Sequence, residues 1–143
     1  MRRSLAEGLE LDDDRDRVDV EAVHRFLSEE AYWVQGRSRE TIERLVREST
    51  RVIAAYDGPV LIGFCRVMSD ASNMAWLGDV FVLPAYRGRG VGVELIREAV
   101  EFPEHRDLQW YLGTLDAHAL YAKFGFEAPS ERTMVRPRRD PRP

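Results

Sequence analysis

The chain has 143 residues, 44 % of them apolar and 32 % charged, with a net charge of −4. That is enough apolar sequence for one domain with a real core, and no apolar run approaches the roughly 18 residues that span a bilayer. The negative balance disfavours nucleic acid as the main partner, and Cys65, the lone cysteine, excludes an intrachain disulfide.

The N-terminal stretch Met1-Arg2-Arg3-Ser4-Leu5 is followed by Glu7 and Glu10, so the apolar stretch of a secretory signal is missing and a cytoplasmic location is expected. Leu9 and Leu11 fit a short first strand. Asp19 can cap a helix carrying Val20, Val23 and Leu27 on one face. Tyr32-Trp33 and Gly36 break that period. Ser38 can cap a second helix whose apolar face holds Ile42, Leu45 and Val46.

Then the period changes. Residues 51–56 and 60–68 are apolar, β-branched runs separated by Asp57-Gly58-Pro59, a hairpin signal. Residues 75–83 form a third run ending at Pro84. A glycine-rich turn follows, then a helix over 91–102 with Val91, Leu95, Ala99 and Phe102 in register, stopped by Pro103. Residues 108–114 suit a strand. Residues 117–124 suit a helix ended by Gly125. A last strand is expected after Phe126, with Met134 and Val135. From about residue 132 the chain reads as a flexible basic tail. The order predicts a single α/β (α+β) domain with a mixed, mostly antiparallel central sheet flanked by helices.

The turn itself, Val82-Leu83-Pro84-Ala85-Tyr86-Arg87-Gly88-Arg89-Gly90-Val91-Gly92, carries the most chemistry. Helix N-termini leave backbone N–H groups unpaired and partly positive. Glycines let a phosphate approach that backbone, and Arg87 and Arg89 add full charge. The spacing Gly88-x-Gly90-x-Gly92 matches neither the dinucleotide G-x-G-x-x-G nor the P-loop.

The run Arg87-x-x-Gly90-x-Gly92, after a strand and a proline, resembles the acyl-CoA pyrophosphate loop of the GNAT (Gcn5-related N-acetyltransferase) superfamily. Leu120-Tyr121-Ala122-Lys123-Phe124-Gly125-Phe126 resembles the ending of that superfamily's late helix. Leu77-Gly78-Asp79-Val80-Phe81-Val82 with Asp116-Ala117-His118 looks like a subgroup of small bacterial members. The likeness runs over roughly residues 7–128. Where the family commonly carries an asparagine near the late helix, Thr114 or Asp116 stands here.

The resemblance implies an acetyl-CoA-dependent N-acetyltransferase in which a primary amine, that of a small molecule, attacks the thioester directly in a ternary complex. The implied alternatives are a protein or peptide acceptor and a non-catalytic CoA-binding module of the same fold. It implies acetyl-CoA contacts at Phe81, Val82, Arg87, Gly88, Arg89, Gly90, Val91, Gly92 and His118, and Tyr121 as the acid that protonates the departing thiolate. His118 can equally be a local cap. Tyr32 and Trp33 lie where the family walls the acceptor pocket, though Trp33 can also plug the core. Asp79, a carboxylate in an apolar strand, has two readings: a general base with a raised pKa, or a structural carboxylate paired with an arginine such as Arg66. His24 and His105 read as solvated, Cys65 as a core residue, and no spacing suits a metal. No membrane partner is expected, and a homodimer is left open. The acceptor amine, the acyl chain length and the role of the basic tail are not legible in the residues.

Overall fold

A computed structural model describes residues 1–29 and 36–139. Tyr32 and Trp33, the expected acceptor-pocket residues, and the last four residues of the tail lie outside them. The strands are β1 (Arg2–Ser4), β2 (Leu9–Asp12), β3 (Arg51–Asp57), β4 (Val60–Ser69), β5 (Met74–Val82) and β6 (Gln109–Tyr111). The helices are α1 (Val20–Glu29), α2 (Arg39–Glu48), α3 (Val91–Val100) and α4 (His118–Ala122). The six strands form one sheet in sequence order, antiparallel throughout except for the parallel β5–β6 pair. This is the mixed, mostly antiparallel architecture that the residue pattern predicts.

Both early helices start where a side-chain oxygen can accept a free amide. Asp19 Oδ1 accepts from Ala22 N at 3.1 Å, and Ser38 Oγ accepts from Thr41 N at 3.1 Å. Along β3, Val52, Ala54 and Tyr56 face α1 and α2, whereas Ile53 and Ala55 face α3. This alternation divides the interior into two cores, one on each side of the sheet. The first packs Val23, Phe26 and Leu27 of α1 and Ile42 and Val46 of α2 against Phe64 and Phe81. The second packs Leu95, Ile96 and Ala99 of α3, with Tyr121, against Cys65, Ala75 and Leu77.

Several sequence expectations need correction. A short β1 precedes the expected first strand and pairs with it. β6 is three residues rather than seven, and α4 five rather than eight. No strand follows Phe126 among the described residues; Met134 and Val135 are 93 % and 84 % exposed. Two apolar residues flanked by Arg, Pro and Thr have no partner strand to bury them. His105 is buried at 2 % exposure between Phe102 and Trp110, not solvated. Burial, reinforced by the nearby Arg51 charge, lowers its pKa. The His24 ring nitrogen Nε2 lies 3.1 Å from the Arg37 carbonyl and so ties α1 to the start of α2. No helix among the described residues is long and apolar enough to cross a membrane.

Candidate active site

The site is built around a split in the sheet. β5 and β6 pair only at Met74–Gln109, Ala75–Trp110 and Trp76–Tyr111. Beyond Tyr111 the chain leaves the sheet, while β5 continues to Val82. Among the described residues no strand covers that edge of residues 77–82. A wedge therefore opens between the end of β5 and residues 112–114, with unpaired backbone polar groups along one side.

A bulge sits inside the wedge. Gly78 is paired with Arg66 and Phe81 with Phe64, so Asp79 and Val80 together oppose Cys65. Asp79 adopts φ +53°, a left-handed conformation that aspartate tolerates better than most residues. Alternation continued from Ala75 and Leu77 would send Asp79 to their side, toward α3. The bulge turns its carboxylate instead toward α1 and α2. There Arg37, just before α2, donates to it twice, from Nη1 to Oδ2 at 3.0 Å and from Nη2 to Oδ1 at 2.8 Å. Arg66 Nε donates to Oδ2 at 2.6 Å. Burial alone would push the Asp79 pKa up, but the Arg37 hydrogen bonds and the charges of Arg66 and Arg37 outweigh it. The net shift is downward. Such a carboxylate stays ionised at neutral pH and is a poor general base. Of the two sequence readings, the geometry is that of the paired carboxylate.

At the far end of β5 the chain turns through residues 84–86 into Arg87 and Gly88. Gly88 and Gly90 both have positive φ, 79° and 80°, and Gly90 caps α3. A Cβ added at either would meet nothing within 4 Å. The left-handed backbone, not crowding, requires glycine, and the space over the turn is open. Intrahelical bonding begins with Glu94 N to Gly90 O at 3.1 Å. The amides of Val91, Gly92 and Val93 therefore have no partner within the helix. Gly92 differs from the other two: an added Cβ would make ordinary contact with Val82 Cγ2 at 3.6 Å. Arg87 Nε donates to Val82 O at 3.0 Å, which ties the turn to the strand end. Arg89 lies 5.1 Å from the Tyr86 ring centroid and 3.6 Å from a Glu7 carboxylate oxygen. Open space, three free amides and two exposed guanidinium groups fit a pyrophosphate.

α4 borders the wedge from the α3 side. Thr114 Oγ1 accepts from Ala117 N at 3.1 Å and starts the helix. His118, its first residue, is exposed, and its side chain makes no hydrogen bond among the described residues. Tyr121 is 9 % exposed and sits in the α3-side core, its ring edge-on to Phe126 at 5.9 Å. Gly125, at φ +87°, reverses the chain so that Phe126 N reaches Tyr121 O at 3.3 Å. Phe81 lies apart from these groups. Its ring stacks on Phe26 at 4.2 Å in the other core, so only its backbone borders the wedge. Val82 is half-buried against the α3-side core. Cys65 is fully buried and burial raises its thiol pKa to about 12, which disqualifies it as a nucleophile.

Comparison with known proteins agrees with this layout. The acetyltransferase (GNAT) family model matches residues 17–126. The chain belongs to the GNAT family. A protein described as belonging to that family, from Xanthomonas campestris pv. campestris, is 33 % identical, with a TM-score of 0.85 over 90 % of this chain and 92 % of its own. A Clostridium acetobutylicum structure with acetyl-CoA shares the fold at 12 % identity, with a TM-score of 0.63 over 90 % of this chain and 96 % of its own. A Glycine max protein named histone acetyltransferase TAP1 is 36 % identical over 73 residues, half of this chain and 32 % of its own length. The chain spans about a third of the length of the curated relatives it matches.

Within the GNAT frame, the turn from Arg87 to Gly92 and the wedge beside it stand together, and Tyr121 closes the wedge from the α3 side. Asp79 and Tyr121 lie on opposite faces of the sheet. Two residues escaped the sequence reading. Arg37 was visible only as part of the segment between the early helices, and its role depends on the Ser38 cap and the bulge. Trp76, 40 % exposed at the last β5–β6 pair, looked like one more apolar strand residue. An indole on the outward-facing register of a strand was the available signal.

Proposed function

We propose that this protein is an acetyl-CoA-dependent N-acetyltransferase that acetylates the primary amine of a small molecule. The observation that carries the reading is the split between β5 and β6 running into an open, glycine-capped helix N-terminus. Acetyl-CoA supplies an activated acetyl thioester. The amides of Val91, Gly92 and Val93, with Arg87 and Arg89, hold its pyrophosphate. The uncovered β5 edge near Val82 offers backbone N–H groups that polarise a carbonyl lying in the wedge. The amine attacks directly, without an acyl-enzyme. Tyr121 gives its phenol proton to the departing CoA thiolate. Asp79 orients Arg37 and Arg66 and takes no proton, so the ammonium proton leaves through water in the wedge.

The name of the plant relative supports a second reading, with a lysine side chain of a protein as acceptor. Release of free thiol from acetyl-CoA over a panel of small amines, amino acids, polyamines and a histone-tail peptide separates the two. Turnover of a small amine is the expected result. Turnover of the peptide alone selects the second reading. Tight acetyl-CoA binding with no release on any acceptor would make the chain a non-catalytic CoA-binding module.

A further inference from the structure

The bulge cluster holds an unbalanced charge. Arg37 and Arg66 bring two positive charges to one carboxylate, and the three side chains are only 12 %, 14 % and 4 % exposed. No other acidic group pairs with either arginine among the described residues. Arg37 commits both Nη atoms to Asp79, whereas Arg66 commits only Nε. The two Nη groups of Arg66 have no acceptor among the described residues. These donors are not buried, so an anion arriving from solvent can engage them.

A second donor points to the same place. Arg66 pairs across the strands with Gly78, and Met68 with Trp76, so all four lie on the face that Asp79 turns toward. A Cβ placed on Gly78 would lie 3.3 Å from Trp76 Nε1 and 3.7 Å from Arg66 Cζ. Lacking a side chain, Gly78 lets the indole edge and the guanidinium come together over its backbone. The indole N–H is itself without an acceptor among the described residues. The spot lies where β5 parts from β6, since Trp76 is the last β5 residue paired to β6.

Two unengaged donors, one of them charged, close together on one face of the sheet suit a planar anion with two acceptor oxygens. We infer that Arg66 and the Trp76 indole N–H bind a carboxylate of the acceptor, so that the substrate is an amino acid rather than a simple amine or polyamine. The inference rests on the acetyltransfer reading above and narrows its substrate class. Asp79 and Arg37 act as positioning residues: Arg37 fixes Asp79, and Asp79 holds Arg66 by Nε and leaves its Nη groups free.

The test uses amines matched except for the carboxylate: lysine against cadaverine, arginine against agmatine, phenylalanine against phenethylamine. Thiol release from acetyl-CoA gives kcat/KM for each. Calorimetric titration of the same compounds into the CoA complex gives affinity without turnover. The amino acid of each pair should be preferred by about 10- to 100-fold, the range for a hydrogen-bonded charged group. Gly78→Ala puts a methyl group 3.3 Å from Trp76 Nε1, displaces the indole and should erase that preference through KM. Arg66→Gln should also erase it, and Arg66→Lys should restore part of it.

Equal or better use of the decarboxylated partners would overturn the inference while leaving acetyl transfer intact. Should no compound release thiol, the acetyltransfer reading fails for small amines. Carboxylate-dependent binding lost in Gly78→Ala would then still support the anion site, and its absence would overturn it.

Discussion

At the scale of single residues, Tyr121 and Asp79 are the two groups whose roles separate most clearly. Tyr121 has its ring fixed by the α3-side core and by Phe126. Removing only its hydroxyl, as Tyr121→Phe, leaves that packing in place and should change stability little. Turnover should fall by roughly 10²- to 10⁴-fold, the usual contribution of a general acid. Acetyl-CoA affinity, read by calorimetry, should stay within a few-fold because the turn at Arg87–Gly92 is untouched. Near-normal turnover would reduce Tyr121 to a packing residue.

Asp79 leads to a pH prediction. Its folded pKa lies below the ordinary value of 3.8 because Arg37 and Arg66 outweigh burial. For a group shifted down on folding, the unfolded chain binds more protons in the window between the two values. The stabilisation is thus fully present above pH 3.8 and is lost as pH falls through the folded value. Asp79→Asn removes one member of a buried cluster and strands two guanidinium groups, a loss of about 3 kcal/mol at pH 7. The gap between wild type and variant in urea unfolding should close as pH drops below about 4. Folded Asp79→Asn should retain the acidic limb of the pH–rate profile. Disappearance of that limb would restore Asp79 as the base.

At the scale of elements, the turn before α3 separates two glycines that the sequence presents as equivalents. Gly90 is required by its positive φ, with open space where a Cβ would go. Gly92 is helical and has room for a methyl group against Val82. Gly90→Ala should therefore strain the helix start by about 1–2 kcal/mol and weaken acetyl-CoA binding. Gly92→Ala should melt no lower than wild type, since alanine favours a helix interior by about 1 kcal/mol over glycine. Thermal melts of the two variants, with and without acetyl-CoA, separate them. Equal losses at both positions would show that crowding by the ligand, not backbone conformation, governs the turn.

For the whole molecule, the wedge depends on elements far apart in the chain: β5, the segment after β6, α3 and α4. A ligand that spans them binds only the folded state. Acetyl-CoA at about a hundred times its dissociation constant should add about 2.7 kcal/mol to stability. The melting temperature should rise with ligand concentration, and an unchanged melt would remove the cofactor assignment.

The sequence by itself determined what local physics can encode. The caps at Asp19 and Ser38, the hairpin at Asp57-Gly58-Pro59, the glycine turn and the stop at Gly125 are each specified by a few neighbouring residues. The sheet's composition was legible for the same reason. Only the tertiary structure decided where Asp79 points, because a bulge is a mismatch between two strands and leaves no period of its own. His105 is buried by Phe102, Trp110 and Arg51, two of which come from other segments. Met134 and Val135 look like strand residues, yet no neighbouring edge accepts them. The cluster beside Asp79 brings together Arg37, Arg66 and Trp76, which lie in three segments. Their meeting is set by strand register, a relation between residues that no single stretch of sequence contains.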